Sequence, residues 1–437
     1  MPTSPTSGRD WNPDLRRLCC CVGLLGLAAL AVAQADAPLT MADAVGLALE
    51  QHPSVAAARH RVQAARHRAR AASAFPNAEL TFTPFWGSAN VGGSDEELIV
   101  HQPLDVRGER RLQTRVAGAQ LSTAESEADV AAQDLALEVR TAYIELLLAR
   151  DMVSLNETLV QTATQFRDAA QTRFDAGDAP RIEIDRAALE LARGEQELAR
   201  ARSDARVGEA ELNAWLGRDP SSPLVLAEAL AFQPVDVDAA DAGGRALAQR
   251  SELRAAEAEL AARKAEVRLA GAARLPDVAV EYRRNELSSS GQGAALLTAT
   301  IPLGDFGSIR HELSATRADV EEQESVCEDT RRKVVLGVEV ALARLKEARE
   351  LASRYETDIV PRTESVTRTI ELGFAAGAST IMDVLDAQRT LRSVQTEQRE
   401  AVAEYMKATA ALARATGEPV GPAPGQDPKP AAGSGPR

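Results

Sequence analysis

The chain has 437 residues, 45% apolar but only 3% aromatic, so Ala, Leu and Val must supply almost all the burial, as in long packed helices. A formal net charge of -14 argues against nucleic acid as a partner, because affinity for phosphate is drawn from Lys and Arg. Only one apolar run, at the N-terminus, has nearly the length of a helical span, which excludes a multi-span inner-membrane transporter at about 20 apolar residues per span.

That run is an address. Arg16 and Arg17 precede the apolar stretch from Leu18 to Leu30, which ends in Ala31-Val32-Ala33. This is the charged, apolar and small-residue order of a secretory signal over 1–33, with the mature chain starting near Gln34. An N-terminal anchor and lipidation at Cys19, Cys20 or Cys21 are the competing minority readings. Removal of the signal leaves Cys327 as the one cysteine, so no intrachain disulfide is expected.

The remainder is written twice. Arg173-Phe174-Asp175-Ala176-Gly177 recurs 200 positions later as Gly373-Phe374-Ala375-Ala376-Gly377; Leu212 falls on Leu412 and Gly217 on Gly417. Gln102-Pro103-Leu104 falls on Ile301-Pro302-Leu303 at an offset of 199. The first repeat, 39–217, reads as a helix over 53–75, strands over 77–86 and 97–102, a long helix over 106–174 and a helix over 180–216. A linker over 218–244, rich in Pro and Asp, leads to the second repeat, 245–417. There the order returns as a helix over 254–273, strands over 277–284 and 295–301, a long helix over 309–374 that Pro361 should kink, and a helix over 381–416. The tail, 418–437, has little to bury and is expected to be disordered.

The helices are identified by apolar spacings of three and four, as in Val139, Ala142, Leu146, Ala149 and Val153, a seam of period 3.5. Many seam positions are Ala or Gly, which lets helix backbones approach closely and favours a wall of helices. The 69 residues from Val106 to Phe174 span about 100 Å as helix, and the two short helices end to end match them. The strands alternate, Leu80, Phe82 and Trp86 against Glu79, Thr81 and Thr83, and Val278, Val280 and Tyr282 against Ala279, Glu281 and Arg283. Pro84 marks a bulge or early end in the first of them.

Four strands cannot close a membrane barrel, which needs about eight, and an open edge is not tolerated in lipid. An exported chain of this pattern must oligomerise to insert, and three copies give twelve strands over twelve helical columns.

These residues resemble the outer-membrane efflux proteins, the TolC-like channels, over about 39–417. The resemblance rests on Leu39-Thr40-Met41-Ala42-Asp43-Ala44 with His52-Pro53, on Gln102-Pro103-Leu104, and on Gly377-Ala378-Ser379 with Asp383-Val384-Leu385-Asp386-Ala387-Gln388. It implies a mainly α fold with a small β part. Two pseudo-repeats of coiled-coil helices plus strand hairpins would assemble as a homotrimer into a 12-stranded outer-membrane β-barrel on a periplasmic α-barrel. It further implies contact at the periplasmic tip with a membrane-fusion adaptor and an inner-membrane RND pump. Leu275-Pro276-Asp277, Tyr282-Arg283-Arg284-Asn285 and Val106-Arg107-Gly108-Glu109-Arg110-Arg111 look most like the cobalt-zinc-cadmium branch, whose cargo is divalent heavy metal; the short turn Gly304-Asp305-Phe306-Gly307 departs from it. Drug or type I protein secretion ducts share every structural argument, and a periplasmic adaptor or structural coiled coil is the reading from another class.

The expected gate and docking surface lies at the two helix-reversing turns: Phe174, Asp175, Gly177, Asp178, Phe374, Gly377, Ser379 and Asp383. The glycines read as left-handed helix ends, and the acids, if inward, as rings favouring cations; a solvated outer face is the equal alternative for each acid singly. His60 and His67 share a helical face but sit among Arg59, Arg61, Arg66, Arg68 and Arg70, which oppose a cation. No metal ligand set, cofactor site or catalytic constellation recurs at chemical spacing, so neither a cofactor nor an enzyme is expected.

Overall fold

The computed structural model describes residues 38–83, 97–234, 241–285, 293–301 and 307–418. The signal, the strand continuation at 84–86, the two hairpin loops, the turn at 304–306 and the tail expected beyond Glu418 lie outside them. The first repeat runs α1 (Met41–Gln51), α2 (Pro53–Ser73), β1 (Glu79–Thr83), β2 (Glu97–Leu104), α3 (Glu109–Asp175) and α4 (Arg181–Trp215). The second runs α5 (Ala242–Gln249), α6 (Ser251–Ala272), β3 (Asp277–Asn285), β4 (Gly293–Thr300), α7 (Ser308–Arg354), a π-turn (Tyr355–Ile359), α8 (Val360–Ala375) and α9 (Ile381–Thr416).

Duplication is legible in the backbone. The six glycines with positive φ form three pairs one repeat apart: Gly108 and Gly307, Gly177 and Gly377, Gly217 and Gly417. Each closes or opens a helix in the left-handed region that only glycine occupies without strain.

Three differences from the sequence expectation have local causes. Each repeat opens with an extra short helix, α1 or α5, and α5 begins inside the expected linker. At 11 and 8 residues these helices are too short for a seam to show, although Thr40 and Asp43 form a reciprocal capping box at the start of α1. The linker is also not free chain: Leu39 pairs in parallel with Leu226, through Leu39 N–H to the Val225 carbonyl at 2.7 Å and Ala227 N–H to Leu39 at 2.9 Å. Finally, Pro361 does not simply bend the long element. The helix widens into the five-residue π-turn just before it, because the proline ring cannot sit against the carbonyl of residue 357 in α geometry.

The helices form a wall. α3 is flanked on one side by α2 above and α4 below, on the other by α6 above and α9 below, and α7 with α8 lies beyond these. Where α4 meets α3 the glycines leave just enough room for a methyl group: a Cβ on Gly208 would meet Leu146 at 3.5 Å, and one on Gly194 would meet Val160 at 3.4 Å, both ordinary contacts. Two larger cores lie at mid-height. One gathers Val139, Tyr143, Leu146, Leu212, Leu216 and Leu224 under α1, with the Tyr143 hydroxyl donating to the Leu39 carbonyl at 2.8 Å. The other gathers Val334, Val338, Ala352, Tyr405 and Leu412.

The strands form one antiparallel sheet in the order β1-β2-β3-β4, so β2 and β3 join the repeats and, among the described residues, β1 and β4 are free edges. Register divides the faces. Leu80, Phe82, Leu98, Val100, Leu104, Val278, Val280, Tyr282 and Leu297 share one face, with Gln102 and Arg284 as its polar members. Glu79, Thr81, Ile99, His101, Glu281, Arg283, Leu296 and Thr298 share the other, which is the more polar. Leu80, Phe82 and Leu297 are 66%, 56% and 72% exposed, so the apolar face is left uncovered by the described residues. No helix among the described residues is long and apolar enough to cross a membrane.

Candidate functional site

The site is the end of the wall farthest from the sheet, where both chain reversals meet. In each, the helix closes with the same pattern: Asp178 N–H donates to the Arg173 carbonyl at 2.8 Å in the first repeat, and Ala378 N–H to the Gly373 carbonyl at 2.8 Å in the second. Gly177 and Gly377, at φ 83 and 76, make this possible and act as caps.

The expected tip residues separate into two groups. Phe374 packs with Ala170, Ile184, Ala187, Ile381 and Leu385, an apolar knot that draws α3, α4, α8 and α9 together. Arg173 lies over the Phe374 ring with its guanidinium carbon 4.9 Å from the centroid, a cation–π contact between repeats. Ser379 is packed on Gly373, where an added Cβ would fall 2.5 Å from its hydroxyl oxygen. Asp383 is turned back on its own helix: Thr380 N–H donates to its carboxylate at 2.8 Å and the Thr380 hydroxyl at 2.7 Å, and these bonds hold its carboxyl below the usual range. By contrast Phe174, Asp175 and Asp178 are exposed, Asp175 accepting only from Gln171 at 2.9 Å. Asp383 lies in the first turn of α9, and its carboxylate is engaged in capping.

Sequence reasoning missed a ladder of cations on α9. Arg389 bonds Glu190 of α4, and this hydrogen bond, against burial, holds the Glu190 carboxyl below the usual range. Above it Arg392 reaches Glu197 at 3.9 Å and the Asn156 amide oxygen at 3.3 Å. Arg399 pairs with Asp151 at 2.6 Å, Lys407 with Glu145 at 2.9 Å and Arg414 with Asp134 at 2.7 Å. The signal was there to read, since 392, 399, 407 and 414 recur at about the coiled-coil period. At its upper end Arg414 also bonds Glu252, which accepts from Arg250 at 2.9 Å. Burial alone would raise the Glu252 carboxyl, but the bonds from Arg414 and Arg250 outweigh it and hold it at about 2.

His60 and His67 are exposed on α2 and have no acidic partner among the described residues, and Cys327 donates weakly to the Ala256 carbonyl at 3.2 Å. Among the described residues no group of three or more His, Cys, Asp or Glu side chains has metal-binding geometry.

A family model described as outer membrane efflux protein matches residues 44–218 and again 242–418. The cobalt-zinc-cadmium resistance protein CzcC of Cupriavidus metallidurans is 24% identical over 361 residues, covering 82% of this chain and 85% of its own length. Protein CyaE of Bordetella pertussis is 33% identical over 256 residues, 55% of this chain and 53% of its own. Among solved structures, the outer-membrane channel OprN superposes with a TM-score of 0.76 at 20% identity, covering 87% of this chain and 91% of that one.

Proposed function

Because the chain belongs to the outer membrane efflux protein family, whose members are channels of the outer membrane that extend into the periplasm, we propose that it is the exit duct of a tripartite efflux system for divalent heavy-metal cations. One observation carries the duct: a sheet with two free edges and an uncovered apolar face stands on a helical wall whose longest element, 67 residues, measures about 100 Å. Such a sheet is stable in lipid only when closed. Three copies supply twelve strands, with the polar face bearing Glu79, His101, Glu281 and Arg283 turned to the lumen, and the helical walls close beneath them.

The tip is then the gate and the place where a periplasmic adaptor and an inner-membrane RND pump are met. The exposed side chains Phe174, Asp175 and Asp178 are available for docking. The Arg173–Phe374 contact and the Arg389–Glu190 bond hold α8 and α9 against the first repeat and so keep the tip closed. The duct performs no reaction and holds no resident metal; cargo passes without coordination. Likeness to CzcC over most of both chains supports metal cargo, as does the acidic balance of the chain. Deletion of the gene is expected to lower tolerance to zinc, cobalt or cadmium more than tolerance to dyes and antibiotics. A strain sensitised only to the latter would remove the metal reading.

A further inference from the structure

Charge is distributed unevenly along the wall. The segments that lead into and out of the sheet, 66–78, 104–115, 267–277 and 307–317, carry eleven arginines against four carboxylates, Asp105, Glu109, Asp277 and Glu312, in a chain whose net charge is -14. α2 itself has five arginines and no acidic residue. Three of the four carboxylates are already taken: Arg107 holds Glu109 at 2.8 Å and Asp277 at 3.4 Å, and Arg110 lies 3.7 Å from Asp105. Arg70, Arg111, Arg115 and Arg274 are exposed and have no carboxylate partner among the described residues. Elsewhere on the wall arginine is commonly paired, as along α9.

The same level carries large apolar side chains in water. Phe75, Val106, Leu275 and Ile301 are 56%, 66%, 50% and 57% exposed, and the first three lie within five residues of an arginine, Arg70, Arg107 and Arg274. Ile301 is in phase with Leu297 and Ala299 on the apolar face of the sheet, and Phe75-Pro76 and Leu275-Pro276 are repeat equivalents, so this part of the belt occurs in both repeats. A surface that offers apolar side chains and unpaired guanidinium groups at one height matches the edge of a bilayer, where acyl chain gives way to phosphate. Guanidinium pairs with phosphate through two parallel hydrogen bonds, and each such arginine near an anionic surface contributes favourably.

We propose that this belt binds anionic phospholipid headgroups of the leaflet facing the helical wall, and so fixes how deep the sheet sits in the membrane. The proposal rests on the reading of the sheet as membrane-inserted. The full chain would be reconstituted in phosphatidylcholine vesicles with and without phosphatidylglycerol, and the lipid retained after detergent extraction counted by native mass spectrometry. Phosphatidylglycerol should be enriched over its bulk share, and lost at high salt. The triple variant Arg70→Gln, Arg111→Gln, Arg274→Gln should lower the enrichment by at least about fivefold, while the corresponding lysine variant, which keeps the charge, retains most of it. Equal retention in wild type and glutamine variant would overturn the belt while leaving the inserted sheet intact. So would an unchanged lipid profile with altered ion selectivity, which would place these arginines in the lumen. Failure of the wild type to insert in either vesicle would instead remove the reading beneath it, and the belt with it.

Discussion

Substituting Glu252→Gln tests whether the two repeats are locked at the top of the α9 ladder. Glu252, on α6, accepts from Arg250, which also donates to the carbonyls of Arg414 and Ala415 at 3.2 and 3.1 Å, and from Arg414, which reaches on to Asp134 of α3. One carboxylate thus ties α3, α6 and α9 together. Its carboxyl lies at about 2 when folded against an ordinary 4.5. The unfolded chain takes up the proton first as pH falls, so the stabilisation is fully present above 4.5 and is lost as pH drops towards about 2. At about 1.4 kcal/mol per unit the shift corresponds to about 3 kcal/mol, and allowing for partial solvent screening, with the side chain 26% exposed, about 2 kcal/mol per protomer remains. Urea unfolding in detergent, followed by far-ultraviolet circular dichroism, should show the glutamine variant weaker by that amount at neutral pH, with the difference closing below 4.5. A difference that is absent at neutral pH, or that persists unchanged into acid, would refute the argument.

The glycines of the wall should separate by backbone conformation. Gly177→Ala, at φ 83 with open space around the new Cβ, should destabilise by about 1 kcal/mol through strain alone, whereas Gly208→Ala, whose Cβ meets Leu146 at 3.5 Å in ordinary contact, should stabilise by up to about 1 kcal/mol in the same unfolding assay. Leu212→Ala, at a fully buried position of the first core, should cost about 3 kcal/mol. In planar bilayers Arg389→Ala, which loses the Glu190 bond, should raise single-channel conductance, whereas Asp178→Ala, at an exposed side chain, should leave it unchanged; no change in the Arg389 variant would move the gate elsewhere. Replacing His60, His67 and Cys327 together should leave metal tolerance intact in complemented cells, and a loss would show that the protein coordinates its cargo.

Much of the fold was legible because it is governed by period and repetition. The seam through Val139, Ala142 and Leu146 identifies a helix without knowledge of its neighbours, and α3 runs from Glu109 to Asp175 against an expected 106 to 174. The paired glycines and the alternating strands are likewise local signals. What escaped depends on neighbours distant in sequence. Pairing of Leu39 with Leu226 makes structure from a linker, and the π-turn before Pro361 depends on how a long helix accommodates a proline without ending. At the tip, sequence marked the turns but not the contacts, since Arg173 over Phe374 and Arg389 on Glu190 join residues about one repeat apart. The cations of α9 were visible as residues; their partners on α3 and α4 were not.

The central claim is that one chain cannot close its own sheet and that three do so together. The mass of the detergent-extracted, full-length protein, measured by native mass spectrometry or by light scattering corrected for bound detergent, tests it most directly. The account predicts a single species of three protomers, stable on dilution. A monodisperse monomer or dimer that nonetheless inserts into vesicles and conducts would contradict it.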